Sequence, residues 1–203
     1  MAESYRTLAA PLRHEIDKVK GSRFIADVAP VATRAEAESL VQRIRRELHA
    51  ARHHCFAWRL EPDGSAFRAS DDGEPSGSAG RPILLELEAR ELTFCIAVVT
   101  RYFGGTKLGV GGLVRAYGAA VAQALERACV RTVTLTRRVL VEHPWECSSA
   151  VQRLLSTLAQ VPARAEYADR VRLELEVPVG MVEEFLRRLR EETAGRATAR
   201  AAE

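Results

Sequence analysis

Apolar residues recur every three or four positions in five stretches of the chain, and this spacing predicts five amphipathic helices. The first follows Thr33, which forms with Glu36 the hydroxyl and carboxylate pair of a capping box. In that helix the apolar residues lie on one face and the charged residues on the other, as in a helix packed on a sheet. The remaining helices are predicted to end near Arg90 and to begin after Gly112, at Pro144 and near Val182.

Between these helices the pattern has the period of β-strands. Val171–Val177 alternates strictly between apolar and charged residues, which predicts a strand with one buried and one solvent-exposed face. Leu92–Val99 is apolar except for Thr93, which predicts a central strand covered on both faces. Further strands are predicted within residues 5–30 and over His53–Trp58, Arg138–Glu142, Val161–Tyr167 and Arg196–Ala201.

The order of these elements predicts two domains of an α+β protein. The pattern restarts near Thr134, and the elements that follow have the order β-α-β-β-α-β, which is typical of a ferredoxin-like domain. We therefore expect an N-terminal α/β sandwich over residues 1–133 and a ferredoxin-like domain over residues 134–203.

Glycines and cations are concentrated in one segment, Arg101–Tyr117. With Gly118 it holds six of the thirteen glycines, and it carries the cations of Arg101, Lys107 and Arg115. Free N–H groups at the start of a helix, next to cations, favour the binding of an anion such as phosphate. The segment has neither a Walker A sequence nor the last glycine of GxGxxG. A turn that only packs a strand tightly against a helix remains the alternative interpretation.

Composition narrows the class of protein. The net charge of the 203 residues is +3, too small to indicate a nucleic-acid-binding protein by itself. No apolar run approaches the ~20 residues that span a bilayer, and the first residues do not form a secretory signal. The four cysteines are widely spaced, so we expect free, mostly buried thiols and a cytoplasmic protein without membrane contact.

The polar loop Ser70–Gly80 holds three carboxylates within four residues, those of Asp71, Asp72 and Glu74. Such a group could hold a divalent cation, but the spacing of an EF-hand is absent, and a structural loop is the preferred interpretation. His53 and His54 would point to opposite faces of a strand. With no zinc-site spacing in the chain, we expect neither a metal nor a cofactor.

Two segments, Ala69–Leu84 and Val98–Ala120, closely resemble signature segments of the IMPACT/YigZ family, and Gly21–Ala26 and Ala51–Trp58 are similar to two others. The resemblance implies an N-terminal domain like domain IV of elongation factor G, with a ribosomal-protein-like fold. It also implies a C-terminal domain like domain V of that factor. Both of these related domains handle RNA or ribosomes. Eukaryotic members of the family regulate translation.

The resemblance also implies a set of surface residues. One departure is His54, which stands where relatives often have an asparagine. The implied anion-binding or nucleic-acid-binding residues are Arg101, Tyr102, Gly104, Gly105, Lys107, Gly109, Arg115 and Tyr117, with Asp71, Asp72, Gly73 and Glu74 in the acidic loop.

Three functions stay open at this stage. The first is an RNA-binding or ribosome-binding protein linked to the regulation of translation. The second is a magnesium-dependent enzyme acting on a phosphorylated small molecule, and the third is an adaptor that binds another protein. Because no nucleophile and base combination is recognisable in the sequence, we expect a binding protein rather than an enzyme.

Overall fold

The structure, a computed structural model, describes residues 3–201. These residues divide into two compact units between Val133 and Thr134. Both units mix helices with antiparallel sheet, so the predicted α+β class is confirmed. The outermost two residues at each end of the chain, which belong to the predicted domain ranges, lie outside the described residues.

The N-terminal unit is built on a sheet with strand order β2-β3-β6-β4-β5, in which all neighbours are antiparallel. Strands β1 and β7 pair with each other in a separate ribbon. The elements of the unit are β1 (Ser4–Leu8), β2 (Leu12–Glu15), β3 (Arg23–Pro30), α1 (Arg34–Glu47), β4 (His53–Leu60), β5 (Ala66–Ser70), α2 (Gly80–Ala89), β6 (Cys95–Tyr102), α3 (Val110–Arg127) and β7 (Val130–Thr134).

Helices cover both faces of this sheet, which explains why its central strand is apolar on both sides. On β6, alternate residues such as Ala97 and Val99 pack in the cluster formed with α2 and α3. Their neighbours Ile96 and Val98 pack against α1 on the other face. Burial of apolar surface on two faces is the main stabilising contribution to the unit.

Two predicted boundaries in this unit are corrected by the structure. The central strand is Cys95–Tyr102 rather than Leu92–Val99, because Phe94 has a left-handed backbone (φ 49°) that interrupts the extended chain. Helix α3 begins at Val110, before Gly112, with Gly109 as its N-cap. The Thr33 cap is confirmed: its hydroxyl accepts from the Glu36 N–H at 3.2 Å, while the Glu36 carboxylate accepts from Ala32.

The C-terminal unit has a four-stranded sheet in the order β11-β8-β10-β9, which is the order of a ferredoxin-like fold. The alternation predicted for Val171–Val177 is confirmed, since its apolar side chains are buried. The elements are β8 (Thr136–His143), α4 (Ser148–Thr157), β9 (Pro162–Tyr167), β10 (Val171–Pro178), α5 (Val182–Glu192) and β11 (Thr198–Ala201), with short 3-10 turns before α4 and α5.

The cysteines are free, and Cys129 is the exposed one, while Cys55, Cys95 and Cys147 are buried. Burial raises the pKa of both Cys55 and Cys95 to about 12, so neither thiol ionises at neutral pH. We predict that one thiol of the native protein reacts rapidly with Ellman's reagent, and that Cys129→Ser abolishes this fast phase. Fast reaction of several thiols would contradict this burial.

Within the described residues, no helix combines the length and the apolar character that crossing a bilayer requires.

Candidate functional site

Three loops meet at one end of the five-stranded sheet, and we call them together the three-loop surface. They are the β2–β3 turn (residues 16–22), the β5–α2 loop (residues 71–79) and the β6–α3 loop (residues 103–109). The strand register places them together, because Arg23 lies opposite Tyr102 and His53 lies opposite Arg101. The glycine-rich segment and the acidic loop of the sequence therefore adjoin in the fold.

Arg101, at the end of β6, connects the three loops through its side chain. Its guanidinium binds the Glu74 carboxylate of the β5–α2 loop at 2.7 Å and the Ser22 hydroxyl of the β2–β3 turn at 3.4 Å. It also lies between the rings of Phe24 and Phe103, 5.7 and 5.6 Å from their centroids. Only 6% of Arg101 is exposed, so its charge is directed at Glu74 rather than at solvent.

The side chain of Glu74, 4% exposed, is buried by the same network. Its carboxylate accepts a second hydrogen bond, from the Tyr117 hydroxyl at 2.8 Å, and the Cys55 thiol donates to that hydroxyl. Burial, together with neighbouring Cys55 and Glu74, raises the pKa of Tyr117 far above its ordinary value. The hydroxyl therefore stays protonated and donates to Glu74 at any physiological pH.

The β2–β3 turn and the β6–α3 loop touch through their backbones. A Cβ atom built on Gly104 would lie 1.9 Å from the carbonyl carbon of Gly21, so no other residue fits there without a shift of the backbone. The Gly104 N–H donates to the Ser22 hydroxyl at 3.1 Å. Close packing of the two loops therefore accounts for this glycine.

The other two carboxylates of the acidic loop also accept hydrogen bonds from groups within the protein. Asp71 accepts from the N–H groups of three residues that lead into α2, namely Gly77, Ala79 and Gly80. Although burial alone would raise it, these donors hold the pKa of Asp71 below its usual value. Asp72 binds the Arg45 guanidinium and the His54 N–H, each at 2.7 Å. All three carboxylates of the acidic loop are thus hydrogen-bonded within the protein, as expected for a structural loop.

The remaining predicted residues at the end of β6 and in the β6–α3 loop are exposed or half-buried. Gly105, Lys107 and Gly109 are exposed, and Tyr102 is half-buried beneath the guanidinium of Arg23. The first intrahelical bond of α3 runs from Leu113 to Gly109, and no side chain caps the helix. The N–H groups of residues 110–112 therefore point out of the helix end.

Arg115 lies beside these free N–H groups. Its Nη1 atom is 3.6 Å from the position that a Cβ on Gly111 would occupy, which places the guanidinium at the first turn of α3. Arg115 is exposed. The helix end, Arg115 and Lys107 together present positive charge and N–H donors to solvent.

Two cations of this surface are missed by the sequence reasoning. Lys18 and Lys20 are exposed in the β2–β3 turn, whose Gly21 contacts Gly104. The chain has only three lysines among 30 cations, and all three lie on the three-loop surface, the third being Lys107. The rarity of lysine in the chain was a signal that could have pointed to Lys18 and Lys20. Only the contact between the two loops, however, brings the three lysines onto one surface.

The free charges of this surface are mostly positive. Nearby cations that are paired are Arg23 with Glu15 and Arg101 with Glu74. Within residues 3–201 no salt bridge involves Lys18, Lys20, Lys107 or Arg115, and the exposed carboxylate of the turn is Asp17. In the same residues no cluster of three or more His, Cys, Asp or Glu side chains is arranged to hold a metal.

The fold and this surface define a two-unit α+β protein with a basic loop surface at one end of its larger sheet. Residues 20–125 match the family described as Impact N-terminal domain, and residues 149–196 match a domain of unknown function, DUF1949. The chain belongs to the IMPACT family, which confirms the resemblance in its sequence.

Relatives cover most of the chain. It is 36% identical over 200 residues to IMPACT family member YigZ of Escherichia coli (strain K12), and the match covers 95% of each protein. It is 46% identical over 125 residues to IMPACT family member YvyE of Bacillus subtilis (strain 168), covering 62% of this chain and 57% of YvyE. A solved crystal structure of a hypothetical protein is similar over 100% of this chain and 99% of its own, with 34% identity and a TM-score of 0.70.

Proposed function

We propose that the protein binds RNA, alone or in the ribosome, through the three-loop surface, and that it acts in the cytoplasm as a regulator of translation. Membership of the IMPACT family is consistent with a regulatory role. The observation that carries the proposal is the group of exposed, unpaired cations beside the uncapped start of α3. Phosphate oxygens are the ligands that such a group favours.

Within this proposal the site residues have two different roles. Lys107, Arg115 and the N–H groups near Gly105 and Gly109 are open to an incoming phosphate. Arg101, Gly104 and Tyr117 instead hold the loops in place, since Arg101 and Tyr117 are bound to Glu74. Phe103, 52% exposed, offers a ring on which a base of a single strand can stack.

The enzyme hypothesis is less well supported by the same geometry. A magnesium site would need carboxylate oxygens directed at the cation. The carboxylates of Asp71, Asp72 and Glu74 accept instead from backbone N–H groups, Arg45, Arg101 and Tyr117. A protein-binding adaptor, by contrast, would not need a surface rich in phosphate-binding groups.

The test is the salt dependence of RNA binding, measured by fluorescence anisotropy with a single-stranded RNA. We predict that the affinity of the wild-type protein falls steeply with added salt. Lys20→Ala with Lys107→Ala should make the negative slope of log K against log salt shallower by roughly 1 to 1.5, because each phosphate contact on a single strand contributes about −0.7.

A matched control removes two exposed cations of the C-terminal unit, Arg153→Ala with Arg200→Ala. This variant should keep the wild-type slope. Equal losses in the two double variants would mean that binding follows overall charge, and absence of binding to both RNA and ribosomes at low salt would refute the proposed function.

A further inference from the structure

Strand β9 (Pro162–Tyr167) is an edge strand of the C-terminal sheet, so one side of its backbone has no neighbour among residues 3–201. In the described part of this unit, the large apolar side chains that are exposed are Trp145, Val161 and Tyr167. Val161 precedes β9, Tyr167 ends it, and Trp145 stacks on Tyr167 with ring centroids 5.9 Å apart. An open edge strand beside apolar side chains is a surface suited to pairing with another strand.

The hairpin between β9 and β10 fixes which backbone groups of β9 are open. The Ala168 N–H donates across the turn at 3.3 Å, which makes Tyr167 and its cross-strand neighbour a non-hydrogen-bonded pair. One residue back, the N–H and C=O of Glu166 face β10, and those of Ala165 face away from it. Ala165 therefore offers both groups to a further strand.

The outer face of this sheet carries charges that alternate in sign from strand to strand. The register places Glu142 of β8 beside Arg172 of β10, and Arg172 beside Glu166 of β9. In the next row, Glu174 of β10 lies opposite Arg164 of β9. Each row thus ends at the open edge with an exposed charge, and among residues 3–201 Arg164 and Glu166 form a salt bridge only with each other, at 2.8 Å.

We propose that two copies of this chain associate through their β9 strands, which run antiparallel about a two-fold axis at Ala165. In this register Ala165 exchanges both hydrogen bonds with Ala165 of the second copy. Arg164 of each copy then lies opposite Glu166 of the other, so the alternation of charges continues across the junction.

The other edge strands of the two larger sheets, β2, β5 and β11, do not show this self-complementarity. Antiparallel pairing of β5 about its centre sets Arg68 against Arg68 of the second copy. On β2, Arg13 is already bound by Asp27 and Glu47. On β11 the charged residue is Arg200, and no carboxylate of that strand can face it. Among the edge strands of the two larger sheets, the charge pattern therefore selects β9, and nothing in this inference rests on RNA binding.

Sedimentation velocity of the 203-residue protein over a concentration series tests the proposal. The wild-type protein should show a concentration-dependent dimer. Arg164→Glu and Glu166→Arg should each weaken dimerisation by about tenfold or more, because each sets like charges opposite each other at two symmetric positions. The double variant, with the two charges exchanged, should dimerise as the wild type does.

An equimolar mixture of the two single variants gives the sharpest result. Each is self-repelling, but one carries two carboxylates and the other two guanidinium groups, so the mixture should form a heterodimer. Arg200→Glu on the opposite edge of the same sheet is the matched control and should dimerise normally. A wild-type protein that stays monomeric at all concentrations, an equal effect of Arg200→Glu, or a mixture without heterodimer would overturn the proposal.

Discussion

Glu74→Ala is expected to lower the free energy of unfolding of the N-terminal unit by about 3–5 kcal/mol, because it leaves the buried guanidinium of Arg101 without a counter-charge. The loss should also free the Tyr117 hydroxyl, whose described acceptor is Glu74. Urea unfolding can be followed by the fluorescence of Trp58, which is buried in this unit. A Trp145→Phe background makes Trp58 the sole tryptophan, since the chain has two.

Two comparisons separate the buried pair from a general effect of charge. Glu38→Ala removes a carboxylate whose side chain is 45% exposed and which binds Arg34 and Arg68 at the surface, so the unfolding midpoint should hardly change. Replacing Glu74 and Arg101 together by leucine should cost less than the sum of the two single replacements, because no charge is left uncompensated. Additive costs would show that Arg101 and Glu74 are not coupled.

Gly104→Ala is expected to destabilise the same unit by about 3 kcal/mol, because overpacking of this kind forces the backbone to shift. The added Cβ would lie 2.2 Å from the Gly21 carbonyl oxygen as well as 1.9 Å from its carbon. Since the displaced loop carries Lys107, RNA affinity should fall with stability. Both quantities can be measured on one preparation, by urea unfolding and by anisotropy.

Gly118→Ala is the matched control for Gly104→Ala. Gly118 lies within α3, and an added Cβ would be 3.7 Å from Glu86 Oε1, an ordinary contact. Alanine is favoured over glycine in a helix by up to ~1 kcal/mol, so this variant should be at least as stable as the wild type. A Gly104→Ala protein as stable as the Gly118→Ala protein would contradict the close contact of the two loops.

The sequence predicts the fold where periodicity is strong. The apolar stripe of α3, with Leu113, Tyr117 and Val121, is buried as its spacing indicates, and so is the apolar face of β10. The start of β6 is missed because apolar residues continue through Leu92, while the left-handed backbone at Phe94 has no sequence signal. Pairing of β1 with β7 joins segments far apart in the chain and was not expected.

The sequence identifies the glycine-rich loop on which the candidate site is proposed, but not the partners of its residues. A cation next to glycines predicts a solvent-exposed group that can bind an anion. Lys107 is exposed in the structure, as this prediction requires. For Arg101 the deciding partners are Glu74 and Ser22, which lie 27 and 79 positions away. Local spacing cannot reveal such partners, because they depend on which strands become neighbours in the sheet.

The anchoring of three loops by one guanidinium has a thermodynamic consequence for recognition. Because Arg101 and Glu74 restrict the loops in the free protein, their conformational entropy is lost during folding and not again on complex formation. A ligand therefore meets a preorganised surface. Calorimetry should find little ordering entropy opposing association, in contrast to segments that fold as they bind.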